Sequence, residues 1–266
     1  MIRTPHGRTL GAAVRTAYDA KGATRMHPTG IIFAALDCDA DVIEAWNRWY
    51  DLEHTPPNLL LDGVLQSRRY VATPDLHAAR ITAPDSPFAA GRSTFLTIYT
   101  LVGDPGAAFA GMTGLRDRLV AAGRMEFPAD KKTVRDGDVF TGAVASGDPA
   151  IKLPAEEVPF VGHTGIVVTQ RRGASDAARA RAARLTGVDG VHAIWTLASG
   201  TRADLELDIA YVEGDPAEAA RALRAAEPHH PDTEILADAP FRLIDPLHYP
   251  WADAIRDSDL PAKVGG

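Results

Sequence analysis

Apolar positions along this chain alternate between two spacings, and the alternation runs in the same order through both halves. Gly30 to Leu36 is a short, uninterrupted apolar run, which predicts a buried strand over 30–37. Ile43, Trp46, Tyr50 and His54 then recur at about 100° per residue, with Val42 and Trp49 beside them, which predicts a helix over 40–54. Glu44, Arg48 and Asp51 fall on its opposite, wet side. Strands follow over 64–72 and 94–102, a helix over 105–122 and a strand over 133–144. The second half reads strand 163–171, helix 175–185, strands 190–198 and 204–212, helix 216–226 and strand 234–244.

Two short signals mark the same places in both halves. Thr29-Gly30-Ile31-Ile32-Phe33 returns as Thr164-Gly165-Ile166-Val167-Val168, each opening a strand. Gly103-Asp104-Pro105 returns as Gly214-Asp215-Pro216, where an aspartate N-cap precedes a first-turn proline. The resulting order, βαββαβ twice, is that of the ferredoxin-like unit. The chain therefore divides into an N-terminal arm (1–28), a first repeat (29–147), a linker (148–160) containing Pro149, Pro154 and Pro159, a second repeat (161–247) and a C-terminal tail (248–266). Residues 73–93 have no counterpart in the second half. A loop of that length is usually functional, and its prolines and glycine suit a lid over a pocket.

Composition adds mainly exclusions. Hydrophobic residues make up 45% and charged residues 24% of the 266, enough for a real core. A net charge of −7 with scattered arginines argues against nucleic-acid and anionic membrane partners. No apolar run reaches the roughly 18 residues of a membrane span, and the arginine-bearing N-terminus lacks a secretory apolar centre, so a cytoplasmic protein is expected. The single cysteine, Cys38, forms no internal disulfide; Asp37 and Asp39 beside it disfavour the thiolate, so it reads as a small core residue. His229 and His230 are adjacent in a loop and point apart, against a metal site. No phosphate-cradling glycine loop, dinucleotide fingerprint or Gly-x-Ser-x-Gly elbow occurs.

The most informative stretch is Trp46-Asn-Arg-Trp49-Tyr50-Asp-Leu-Glu53-His54-Thr-Pro56, followed by Gly63 and Ser67-Arg68-Arg69-Tyr70. It resembles the EthD-like branch of the dimeric α/β-barrel superfamily. The resemblance implies an α+β fold in which two tandem ferredoxin-like repeats form one dimeric-α/β-barrel-type unit within a single chain, as a monomeric pseudo-dimer or a homodimer. Members usually carry one repeat and pair as homodimers, so the tandem arrangement departs from the pattern. The superfamily spans lyases, isomerases, polyketide cyclases, cofactor-free monooxygenases and haem enzymes, so the fold does not fix a reaction. The helix over 175–185 is mostly alanine and arginine and lacks the aromatic motif, which implies one site per chain.

Read without the family, His54 ends the buried stripe just before Pro56-Pro57, where a helix C-terminus raises its pKa and burial lowers it. It is either a general acid/base titrating near neutrality or a helix-end residue bonded to a carbonyl. Tyr50 either polarises a substrate oxygen or packs in the core, and Glu53 either orients the site or is solvated. Arg68 and Arg69 face opposite sides of their strand, Tyr70 sharing the side of Arg68; one arginine pairs with Glu53 or clamps a substrate oxygen, or forms a structural ion pair. His192 and Trp195 either close the barrel near the first repeat's site or sit in its core or rim. The tail His248-Tyr-Pro-Trp251 is expected to dock on the body.

The expectation is a cofactor-independent enzyme acting by proton transfer on a small apolar carbonyl or phenolic metabolite. Its catalytic residues would be His54, Tyr50 and Arg69, and Trp46, Trp49, Glu53, Arg68 and Tyr70 would bind the substrate. The alternatives are a cofactor-free or haem-dependent oxygenase or oxidoreductase, and a non-catalytic ligand-binding protein.

Overall fold

The structure is a computed structural model in which residues 27–173, 177–228 and 233–260 are described. The arm up to residue 26, Ser175 and the pair His229–His230 lie outside the described residues. The fold is mixed α+β around one large antiparallel sheet.

The first half contributes strands β1 (Gly30–Cys38), β2 (Val64–Val71), β4 (Phe95–Leu101) and β5 (Lys132–Gly147). A two-residue strand, β3 (Ile81–Thr82), lies in the long loop. The second half contributes β6 (Gly165–Arg172), β7 (Val191–Ser199), β8 (Leu205–Val212) and β9 (Glu234–Leu243). Strand order is β2-β4-β1-β5-β7-β8-β6-β9-β3, and β2 also pairs with β9 through Tyr70↔Leu243 and Val71↔Arg242. Eight strands therefore close into a ring, and β3 adds an outer pairing to β9.

Register repeats along with order. The β1–β5 ladder shifts between Ala35 and Leu36, and the β6–β9 ladder shifts between Gln170 and Arg171. The β2–β4 ladder shifts between Val64 and Gln66, and β7–β8 between Val191 and Ala193. The glycines opening β1 and β6 have a shared steric cause. A Cβ on Gly30 would sit 2.3 Å from the Phe140 carbonyl oxygen, and one on Gly165 would sit 2.2 Å from that of Phe241.

Alternation along the strands builds a two-sided core. Inward-facing Ile31, Phe33, Tyr70, Trp195, Tyr211 and Phe241 fill the ring with side chains. Outward-facing residues pack under helices. In the first half these are α1 (Ile43–Trp49), a π-helical turn (Tyr50–His54), α2 (Thr55–Asn58) and α4 (Pro105–Ala121). In the second they are α5 (Ala177–Leu185) and α6 (Pro216–Ala226). Asp104 and Asp215 cap α4 and α6, each accepting two backbone N–H groups.

Two expectations change. The 73–93 segment is no lid over the first half's helices: it forms α3 (Pro74–Ala78) and β3, and buries Leu76 and Phe88 in the ring's own core. The linker also joins that core, since Val158 is buried there and the Ala155 carbonyl accepts from the Trp195 indole. Trp195 is thus ring filling, as its core reading has it, and His192 lies 3.5 Å from Glu213. The tail does dock: Trp251 and α7 (Ala252–Arg256) pack with Ile43 and Trp46, on the body but not over the cleft described next.

Candidate functional site

The prolines expected to end the first helix do not end it. Neither Pro56 nor Pro57 has an N–H to give, and a π-turn absorbs the break: the Thr55 N–H bonds the Tyr50 carbonyl five residues back. The Asn58 side chain also donates to the His54 carbonyl at 2.9 Å. His54 consequently sits mid-helix, away from any C-terminal dipole.

The buried stripe also includes polar residues at ordinary helical spacing. Asn47 is fully buried and Asp51 side-chain atoms are 6% exposed, so Asp51 is not on the wet side. Beneath them Arg69 donates to Asp51 at 3.1 Å and to the Asn47 side-chain oxygen at 2.5 Å, and its guanidinium covers the Tyr50 ring at 4.2 Å. Asp51 in turn accepts from the Leu247 N–H at 2.8 Å and the Tyr249 hydroxyl at 2.5 Å. Arg69 is committed to a structural ion pair, with Asp51 in place of the expected Glu53. Glu53 instead lies outside, 3.6 Å from Arg124.

Above this layer is a cleft of about 500 Å³. Its walls are Trp49 and His54 from the first helix, Arg116 and Val120 from α4, and Phe127 and Lys132 from the approach to β5. Met125 completes the turn in left-handed backbone at φ 59°, a strained conformation for a non-glycine residue. Trp49 lies 4.8 Å from the imidazole and 5.4 Å from Phe127 between ring centroids, and the Tyr50 edge supports the imidazole at 4.6 Å.

Polar atoms in this wall lack partners. His54 Nδ1 and the Trp49 indole nitrogen are buried without a hydrogen bond, as is the Trp46 indole nitrogen behind them. Burial first, then the positive charges of Lys132, Arg69 and Arg116, push the His54 pKa down to about 3. The expectation that His54 titrates near neutrality is corrected: burial governs because the helix does not end there. The Tyr50 hydroxyl is buried and held above the usual phenol range, and neither it nor Trp46 lines the cleft.

Arg68 and Tyr70 face the other side of β2, away from His54. Arg68 lines a separate recess of about 610 Å³ at the β2–β9 seam, with His163 and Arg242. There His163 Nδ1 donates to the Val161 carbonyl at 3.2 Å, so Nε2 accepts from the Tyr70 hydroxyl at 3.0 Å. Burial lowers this imidazole to about 4. Arg242 there lies 4.0 Å from Asp215, while the Arg68 Nε is buried without a hydrogen bond.

The corresponding gap in the second half is about 30 Å³. Arg181 and Arg171 both reach Asp208, and Arg224 bonds Asp238 at 2.8 Å, filling the space with ion pairs. The aromatic helix and the alanine-arginine helix thus leave unequal spaces. Among the described residues, no group of side chains could hold a metal, and no helix is long and apolar enough to cross a membrane.

Of the eight residues singled out from sequence, the cleft brings together His54 and Trp49, with Trp46 and Tyr50 packed behind. Lys132, Arg116, Phe127 and Met125 were missed. They lie some 60 to 80 residues from His54 in sequence and carry no local motif.

No family model matches the chain, and no curated protein matches it. Among solved structures, the chain is similar to a protein from Fusobacterium nucleatum subsp. nucleatum ATCC 25586 described as a "putative monooxygenase". The TM-score is 0.46 at 8% identity, covering 83% of this chain and 94% of that one. It is also similar to a protein of the same description from Lactobacillus acidophilus NCFM, with a TM-score of 0.43 at 8% identity, covering 82% of this chain and all of that one.

Proposed function

We propose that this chain is a small-molecule enzyme that works by proton transfer in the Trp49–His54 cleft, on a framework of two tandem ferredoxin-like repeats. The shared bulge positions and the paired glycines Gly30 and Gly165 support the tandem reading. The Trp46-to-His54 motif supports placing the first repeat in the EthD-like branch of the dimeric α/β barrels.

The observation that carries the reading is the buried, unpartnered Nδ1 of a neutral imidazole beside an apolar cleft of ligand size. A neutral imidazole at pH 7 accepts a proton from a phenol or from carbon next to a carbonyl. Returning that proton to another atom of the same molecule completes an isomerisation, elimination or cyclisation. A pKa near 3 makes His54 a weak base alone. Negative charge developing on a ligand opposes the positive charges that lower it, so basicity rises as the reaction proceeds. Trp49, Phe127 and Val120 supply an apolar wall for the ring of the substrate.

The test begins with small molecules extracted from the purified protein and identified by mass spectrometry, together with a visible spectrum. A colourless protein is expected, and a haem absorption band would move the reading to the oxidoreductase alternative. With the substrate in hand, His54→Gln is expected to cut turnover by roughly a hundredfold or more at an unchanged melting temperature. Unchanged turnover would show that the chemistry does not run through His54.

A further inference from the structure

Two adjacent lysines open β5, and they have opposite surroundings. Lys131 is neutralised, with Asp39 at 3.1 Å and Asp41 at 2.9 Å. Lys132 turns to the other side and, among the described residues, has no carboxylate within ion-pair distance. Its Nζ instead lies 4.8 Å from the centre of the Trp49 ring and 5.7 Å from that of Trp46, in the wall that also holds His54.

We propose that Lys132 is the specificity-determining residue of the cleft, selecting a planar, ring-bearing monoanion whose carboxylate or phenolate oxygen meets its ammonium while the ring lies on Trp49 and Phe127. This rests on the functional reading of the same cleft given above. Four observations converge on it. An ammonium held on indole faces is positioned by contacts that leave its N–H groups free to donate. Arg116, the other cation of the wall, holds Asp117 at 2.8 Å, and Glu126, the acid of the same wall, makes no ion pair with Lys132 among the described residues. The Trp49 ring lines the cleft beside the ammonium and within 5.4 Å of Phe127 between ring centroids, which gives the wall an aromatic side. The volume, about 500 Å³, takes one or two fused rings and falls short of a peptide or polymer.

The electrostatics agree in sign. Burial and the charge of Arg116 lower the Lys132 pKa, so an anion in the cleft relieves both this lysine and the imidazole of His54. Ammonium-to-carboxylate contacts are among the stronger hydrogen bonds once water is displaced. The anion would thus both bind and make His54 a better base.

The experiment titrates the full chain at pH 7 with 1-naphthoate and with its neutral counterpart 1-naphthalenemethanol, following tryptophan fluorescence. Wild-type protein is expected to bind the carboxylate at least tenfold more tightly, about 1.4 kcal/mol. Lys132→Met is expected to abolish that preference while keeping the affinity for the alcohol, and Lys132→Arg to retain part of it. Lys131→Met serves as the control and keeps the full preference. Equal binding of the two compounds by wild type, or an undiminished preference in Lys132→Met, would overturn the role of Lys132 and leave the cleft as a ligand site. Binding of neither compound would overturn the functional reading as well. Trapping of a 1-naphthaldehyde adduct on Lys132 by borohydride would show a nucleophilic amine in place of an anion-holding ammonium, and would also overturn the proposal.

Discussion

Arg69 and Asp51 form a buried ion pair at 3.1 Å, each side chain only 6% exposed, and the pair ties three segments together. Arg69 belongs to the sheet, Asp51 to the π-turn, and the second carboxylate oxygen of Asp51 holds the C-terminal tail through Leu247 and Tyr249. Removing one partner leaves the other charged and dry, a larger loss than the pair itself contributes. Arg69→Met should therefore cost roughly 3–5 kcal/mol in urea denaturation. Tyr249→Phe, which removes one hydrogen bond, should cost about 1 kcal/mol. Equal effects would mean that the pair is not the anchor.

Acid sensitivity should begin at mild pH. The folded-state pKa values of His54, His77 and His163 are lowered to about 3, 2 and 4, chiefly by burial. The unfolded chain takes up these protons near pH 6.5 while the folded chain does not. Stability is thus fully present above about pH 6.5 and falls as pH drops through the window down to about 4. Each histidine contributes a slope of up to about 1.4 kcal/mol per pH unit there. Melting temperatures measured from pH 7 to 4.5 should show this decline, shallower by about one proton in His54→Gln. In NMR the His54 ring of the free protein should not titrate between about pH 5 and 8.

The two strand-opening glycines should be equally intolerant. Gly30→Ala and Gly165→Ala would each press a methyl group into a carbonyl oxygen, and in the second case also into Pro216 at 2.5 Å. Relief requires the strands to part, so each should cost about 1–3 kcal/mol or more in chemical denaturation. Gly111→Ala, with nothing within 4 Å, is the matched control and should be neutral or slightly stabilising.

Cys38 should be silent towards thiol reagents in the native protein. It is 3% exposed, and burial together with Asp37 raises its pKa above the ordinary thiol range. Labelling should follow unfolding, so a native protein that reacts within seconds at pH 8 would contradict this packing.

Element order was legible because its signals are local. Asp104-Pro105 and Asp215-Pro216 start helices at those residues, and the Thr-Gly openings start strands. His54 and Trp49 were legible as neighbours because they share one helix. The π-turn was not, since no residue type announces it, and neither was the burial of Asp51, which continues the side of Asn47 one turn earlier and reads as wet until Arg69 is known to lie beneath both. Nor did the sequence reveal the partner of Arg69, because pairing across 18 residues depends on which strand lies beneath which helix. Leu76 and Phe88 sit in a stretch punctuated by proline and glycine, which reads as a surface loop until the ring they fill is known. Lys132 is indistinguishable from Lys131 by composition; only the alternation of faces at the start of β5 separates a surface pair from a cleft cation.

The pairing of Tyr70 and Val71 with Leu243 and Arg242 joins the two ends of the ring within one polypeptide. In an assembly of identical subunits, every substitution is made twice, and a change that opens one cleft opens its twin. Here a mutation is made once. The Arg171–Asp208–Arg181 cluster can close the second half without closing the first, and His54 can sit in a half-empty first half whose loss of packing the other offsets. Closure of the ring also needs no encounter between molecules.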